Sequence, residues 1–352
     1  MYYVNEDIKK TIRVYPDQGR YQYYRYDMNE NPDGLPEQFV ADVLKEITPK
    51  FLATYPEPDV FLKKYAAYIG TSYDKVLATN GSDMAIRYIL ETFGKKGKNV
   101  VTVSPSFEMY WVNCSILGLN HVPVGYEPNL EIDVQKIIDS ITNDAGIVVL
   151  LNPNNPIGNA YTAYEVEQII EKAEQVGAIV VIDEAYHYFY KETFLKYALT
   201  KNNVIILRTF SKLFSIAACR LGVIISSPEI IHYIKNNKLT FDVNAIALKF
   251  GEMILDRPEL INRLIAASDE GKMYALDNLK SKGYNVIDGK GNFFFVEPKR
   301  DADIVAAELK EKEKILVKSF SNELLKKYLR ISTGSPVSMK VFLEGFFRVD
   351  EC

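Results

Sequence analysis

The sequence predicts an α/β protein: a large domain on a mostly parallel, seven-stranded sheet between helices, and a smaller α+β domain formed from both chain ends. Three observations predict it. Seven short apolar runs rich in β-branched residues recur through the middle of the chain, each closed by a polar or turn residue. Amphipathic helical patterns lie between them. The length of 352 residues exceeds what one hydrophobic core supports.

The runs are Val76–Thr79, Val100–Val103, His121–Val124, Ile147–Asn152, Ile179–Asp183, Val204–Thr209 and Gly222–Ile225. Most lack the alternation of a half-exposed strand, which marks burial on both faces, as in a parallel sheet covered by helices. After the first run, Ile86, Ile89, Leu90 and Phe93 fall on one helical face; Val166, Ile169, Ile170 and Ala173 do so after the fourth. Thr162 and Glu165 form a capping-box pattern at the start of that second helix. These elements place the large domain at about residues 46–250. Beyond it come a long charged helix (Glu259–Ser281), a strand at Asn292–Glu297, a helix near Asp301–Glu313 and a strand at Leu329–Ser332. With residues 1–45, they make the small domain, 251–352.

Composition narrows the function. Forty-two basic against 46 acidic residues leave a net charge of −4, which offers no basic field for nucleic acid. Three cysteines (Cys114, Cys219, Cys352) and three histidines (His121, His187, His232) are scattered without metal-ligand spacing, so neither a disulfide scaffold nor a zinc site is expected. Free thiols and the absence of a leader pattern at the start of the sequence point to the cytoplasm. The longest apolar runs are far shorter than the roughly 20 residues a membrane helix needs. Neither the glycine-rich dinucleotide fingerprint nor the phosphate-loop motif occurs.

In open α/β sheets ligands bind beyond the C-terminal strand ends, so chemistry is sought in the residues just after each strand. Lys212 follows the sixth run in Thr209-Phe-Ser-Lys212. A lysine there is either a solvated surface group or a desolvated amine of lowered pKa, able to form a Schiff base. Ser211 and Arg220 bracket it with a hydroxyl and a guanidinium, a pair suited to a phosphate. Asp183 ends the fifth run in Asp-Glu-Ala-Tyr186. It is either a helix cap or the partner of a buried cation, such as the protonated pyridine nitrogen of pyridoxal phosphate. Asn155, in Asn152-Pro-Asn-Asn-Pro-Ile-Gly158, is a turn former or a donor to a cofactor ring oxygen, a role open to Tyr186 also. Asn80-Gly-Ser82-Asp83 is a turn with a cap, or an anion site at a helix start. Phe107 is core, or an aromatic face for a pyridine ring.

Taken in order, NENP (Asn29–Pro32), YPEP (Tyr55–Pro58), NGSD, PSF, NPNNPIG, DEAY, TFSK and the arginine of Leu329-Arg330-Ile331 resemble the fold type I pyridoxal-phosphate aminotransferases. The nearest subgroup is that of the histidinol-phosphate aminotransferases. The resemblance covers nearly the whole chain. It implies pyridoxal 5'-phosphate bound covalently to Lys212, with Asp183 on the pyridine nitrogen. Asn155 and Tyr186 contact the ring oxygen, and Phe107 stacks on the ring. Ser82, Asp83, Ser211 and Arg220 hold the phosphate. Tyr55 reaches the cofactor phosphate of a neighbouring subunit, which implies a homodimer with shared active sites. Arg330 grips the substrate's carboxylate or phosphate, and Tyr15 and Asn29 line the same end of the pocket. The implied activity moves an amino group from a donor such as glutamate to a keto acid or phosphorylated carbonyl acceptor.

Three positions depart from the family pattern. Phe107 stands where tyrosine is usual, which keeps stacking and loses a hydroxyl. Ala217-Ala-Cys219 replaces Ala-Gly-Leu. Lys318 occupies the place where histidinol-phosphate enzymes use an arginine for the substrate phosphate; it is a plain surface lysine or a point donor in place of a planar fork. Two other readings stay open on sequence alone: decarboxylation of a phosphorylated serine or threonine by the same lysine and aspartate, and a cofactor-free binding protein that keeps the fold.

Overall fold

The computed structural model of the chain describes residues 2–11, 15 and 18–351; Cys352 and five residues near the N-terminus besides Met1 lie outside it. All seven expected runs are strands of one sheet: β1 Val76–Asn80, β2 Asn99–Ser104, β3 Asn120–Gly125, β4 Ala145–Leu151, β5 Ile179–Asp183, β6 Val204–Thr209 and β7 Leu221–Ile225. Their order across the sheet is β1-β7-β6-β5-β4-β2-β3. The pairs β2–β3, β2–β4, β4–β5 and β5–β6 are parallel. Strand β7 runs antiparallel to both β1 and β6.

Strand periodicity divides the apolar runs between two cores. Val148 and Leu150 of β4 join the core on one face of the sheet, while Ile147, Val149 and Leu151 join the core on the other. Helices supply the opposing surfaces. Helix α1 (Gly81–Phe93) buries Ala85, Ile86, Ile89 and Leu90 on the second face, beside α2 (Met109–Leu117). Helix α3 (Ala163–Val176) buries Val166, Ile169, Ile170 and Ala173 on the first, and Thr162 and Glu165 close both halves of its capping box.

The second body is a three-stranded antiparallel sheet in the order β10-β9-β8, formed by β8 Asn285–Asp288, β9 Phe293–Glu297 and β10 Leu329–Ser332. It is covered by α4 (Pro258–Ser281), α5 (Ala302–Lys312) and α6 (Pro336–Asp350). Alternation along β9 works in two directions. Phe294 and Val296 pack against these helices, whereas Phe293 and Phe295 face Ile157 and Tyr186, sealing the small sheet onto the loops of the large one. The expected limits at 46 and 250 fall inside a packed seam. Phe39 and Val43 on one side, and Ile254, Leu260, Ile261 and Leu264 on the other, share the large core.

Candidate active site

The residues singled out in the sequence gather at one edge of the large sheet. Strands β1, β4, β5 and β6 end there, delivering residues 81–83, Asn155, Asp183 and Ser211–Lys212. Because β7 is reversed, its beginning lies at the same edge, and Arg220 immediately precedes it. A parallel seventh strand would have carried Arg220 to the far side of the sheet.

The cradle at this edge is built from close backbone approaches. Gly81 has φ +73°, and a side-chain carbon there would meet the Arg220 guanidinium at 2.5 Å. A carbon added at Gly222 would lie 2.6 Å from the carbonyl carbon of Gly81 and 2.8 Å from the amide of Ser82. Arg220, itself at φ 58°, spans the gap: it pairs with Asp83 at 3.0 Å and donates to Ser211 Oγ at 3.4 Å. Helix α1 starts without a side-chain cap among the described residues, an arrangement suited to receiving an anion at its first amides.

Lys212 is half-buried, and its Nζ donates to the Met28 carbonyl at 2.8 Å. Burial brings its pKa down to about 8; the Arg330 and Arg220 guanidiniums add to the effect, while Glu30 and Asp83 oppose it. Asp183 moves the other way. Burial pushes its carboxyl up to about 6, helped by Asp83 and Glu184, against hydrogen bonds from Tyr110 and the Ala185 amide. Among the described residues Asp183 has no ion-pair partner, which leaves a buried acid with room for a cationic one.

Among the described residues, Tyr186 and Asn155 each keep a donor free. The Tyr186 hydroxyl accepts from Asn29 Nδ2 at 2.9 Å and retains its own hydrogen; Asn155 Oδ1 accepts from Arg330, leaving its amide nitrogen. Asn29 is therefore fixed to Tyr186, and further to Ser332 through its backbone amide at 2.8 Å, rather than lying free along the pocket wall. Arg330 leaves β10 toward the site, donates to the Asp27 carbonyl at 2.6 Å and lies 5.5 Å from the Phe293 ring centroid, with its Nε unpartnered among the described residues. Lys318 is exposed, but its backbone pairs with that of Arg330, and both cations approach the Phe320 ring, at 5.8 and 6.0 Å.

Phe107 lies with Tyr110, Trp111 and Tyr126 on the wall of a cleft of about 700 Å³. Tyr55 stands apart from these groups, 74% exposed and stacked on Phe241 at 4.4 Å. Tyr15 is exposed too, in a stretch of which residues 12–14 and 16–17 lie outside the described chain. Among the described residues no three His, Cys, Asp or Glu converge as a metal site, and no helix is long and apolar enough to cross a membrane.

Sequence reasoning missed several participants. Residues 27 and 28 act through backbone carbonyls, which no side-chain motif reveals. Arg20 pins this segment by bonding Asp27 at 2.6 Å and Glu30 at 3.0 Å. Asn154 is wholly buried and bridges the Pro105 carbonyl, Ser106 and the Tyr126 hydroxyl, tying the Phe107 loop to the Asn155 loop. Tyr110 donates to Asp183 Oδ2 at 2.9 Å. Its signal was its place three residues after Phe107, in the first turn of α2.

A half-buried amine and a buried carboxylate at the ligand edge of a doubly covered sheet fit a cofactor-dependent transferase. The family described as "Aminotransferase class I and II" matches residues 26–346. Histidinol-phosphate aminotransferase of Clostridium novyi (strain NT) is 32% identical over 330 residues, 93% of this chain and 91% of the relative. Two solved structures share the fold. Histidinol-phosphate aminotransferase from Sinorhizobium meliloti, in complex with pyridoxal-5'-phosphate, superposes with a TM-score of 0.90 at 20% identity, covering 100% of this chain and 98% of that one. L-threonine-O-3-phosphate decarboxylase from Porphyromonas gingivalis gives 0.77 at 21% identity, covering 93% and 99%. The chain belongs to the class I and II aminotransferases, pyridoxal-phosphate-dependent enzymes.

Proposed function

We propose that the chain moves an amino group from a donor such as glutamate to a phosphorylated carbonyl acceptor of the histidinol-phosphate type, working in the cytoplasm as a homodimer. One observation carries the reading: a single sheet edge holds both a lysine whose pKa burial and two neighbouring arginines lower to about 8 and a buried acid with no ion-pair partner among the described residues.

Pyridoxal phosphate, when bound, supplies an electron sink for the bond to be broken at the substrate α-carbon. The chain's own groups do the rest. The amides opening α1, Ser211 and Arg220 hold the phosphate, and Phe107 covers the ring. Asp183 keeps a proton on the ring nitrogen, and Tyr186 and Asn155 donate to the ring oxygen. Lys212 would hold the cofactor, and its Nζ, when neutral, would take the proton from the substrate α-carbon. Arg330 receives the substrate carboxylate, a planar fork matched to a planar acid. Lys318, beside it, offers a second positive charge for an acceptor's phosphate, with Tyr15 and Asn29 at the same end. The aromatic wall of Phe293, Phe295 and Tyr328 keeps water from this end of the site.

The dimer rests on the patch around Tyr55. Tyr55 and Phe241 stack on each other in the open, with Leu52, Val60 and Leu239 also exposed in the two segments concerned. A second subunit would cover this patch and receive Tyr55 near its own phosphate cradle.

The test is spectroscopic and chemical. The purified protein with pyridoxal phosphate is expected to show a visible band that glutamate bleaches and that Lys212→Ala abolishes. A panel of keto acids and phosphorylated carbonyl compounds then identifies the acceptor by return of the band. Band and turnover retained in Lys212→Ala would sink the assignment, and carbon dioxide release without any acceptor would shift it to decarboxylation.

A further inference from the structure

The geometry points to Tyr110 as a positioning residue for Asp183: its buried hydroxyl fixes the carboxylate that faces the cofactor ring nitrogen, and acts on the reaction only through that carboxylate. This deepens the reading above and rests on it.

Tyr110 Oη donates to Asp183 Oδ2 at 2.9 Å, and the Ala185 amide donates to Oδ1 at 3.1 Å. Both oxygens are therefore held from different elements, one by α2 and one by the turn after β5, so rotation of the carboxyl is blocked. Both side chains are buried. In such a place a carboxylate stays charged only if donors replace the lost water. The charged and titratable neighbours are Asp83 at the start of α1, Glu184 next along the chain and the Tyr186 phenol. Neither carboxylate among them helps, since both push Asp183 toward its protonated form. Of the two groups that pull the other way, Tyr110 is the larger. Its own phenol is driven well above its usual range by burial and then by Asp183, so it remains a donor at any working pH.

The same turn of chain also sets the aromatic cover. The Tyr110 amide donates to the Phe107 carbonyl at 3.3 Å, so the residue placed on the cofactor's face and the residue that aims its acid are parts of one local unit. A hydrogen bond to a buried charge justifies selecting for tyrosine here beyond what packing needs, because phenylalanine would fill the same space.

The experiment uses the holoenzyme and four forms: wild type, Tyr110→Phe, Asp183→Asn and the double variant. Tyr110→Phe is expected to keep its thermal midpoint and a Lys212-dependent band, while kcat falls roughly tenfold with KM little changed. The acid limb of its band titration, recorded without substrate, moves upward by about one pH unit, the same tenfold expressed as proton affinity. Its Kd for pyridoxal phosphate, read by quenching of protein fluorescence, rises several-fold. In the Asp183→Asn background the further change Tyr110→Phe alters Kd and the titration less than about twofold, because the route is already cut. A wild-type titration and kcat in Tyr110→Phe, or an undiminished effect in Asp183→Asn, overturns the proposal. Should Tyr110→Phe fail to fold, Tyr110→Met carries the same comparison. Failure of the underlying reading is distinct: wild type itself would then show no Lys212-dependent band.

Discussion

Lys212 and Asp183 have their proton affinities pushed in opposite directions by the same burial, the amine down to about 8 and the acid up to about 6. Only a neutral amine attacks an aldehyde. Capture of pyridoxal phosphate by the cofactor-free protein is accordingly expected to accelerate as pH rises through about 8; a stopped-flow rate that is flat from pH 6.5 to 9.5 would refute it. Stability has its own sign. The folded state binds the lysine proton more weakly than the unfolded chain does, so this residue opposes folding below pH 8, and that cost fades as pH climbs toward the ordinary lysine value. Lys212→Met should therefore melt higher than the wild-type apoprotein at pH 7, by a margin that shrinks at pH 10. Both residues were singled out because each lies at or just after the end of a buried strand. Their surroundings were harder to read: Asp27 and Met28 contribute carbonyls, and Asn29 bonds Tyr186, a tie spanning 157 positions of chain.

Strands buried on both faces announce themselves by unbroken apolar runs, which made the central strands legible; the edge strand β3, mostly exposed, was read from its short β-branched run instead. Direction was not: β7 reads the same forwards or backwards, yet its reversal alone brings Arg220 to the site edge. Helix α2 also escaped notice. Its sequence Met-Tyr-Trp-Val-Asn-Cys-Ser-Ile-Leu is apolar nearly all round, so no stripe marks a face, and the aromatic residue that reaches Asp183 is lost among its neighbours. At this scale the tightest constraint is the meeting of β7 with the start of α1. Gly222→Ala would place a carbon against the Gly81–Ser82 peptide and force the cradle open. We expect it to weaken pyridoxal phosphate binding by at least about tenfold, the effect of some 1.4 kcal/mol lost at the site, measured by titration of the apoprotein. Unchanged affinity would mean that the cradle does not hold the phosphate.

Across the whole molecule, the two bodies are joined where chemistry is needed: Phe293 and Phe295 seal the seam, and Arg330 crosses it. The division into a large and a small body was readable from the change of pattern after residue 250. The packing of Phe39 and Val43 into the large core was not, since an amphipathic helix does not name its partner. The exposed stack of Tyr55 on Phe241 leads to a prediction about assembly. Phe241→Glu puts a charge into the patch, so it should shift the protein to a monomer in sedimentation and lower activity together with cofactor affinity; a fully active monomer would refute shared sites. The place of β7 has a last consequence, for the order of folding. Strand β1 touches the rest of the sheet only through β7, although about 145 residues separate them in the chain. During synthesis β1 therefore waits, its edge unpaired, until nearly two thirds of the chain has emerged, and loop closure over such a distance is slow. The two halves of the anion cradle, residues 81–83 and residues 211–220, come together in that same closing event. Acquisition of cofactor affinity by a nascent chain would thus time the completion of the sheet, and a fragment ending before residue 221 would carry an open strand edge prone to association.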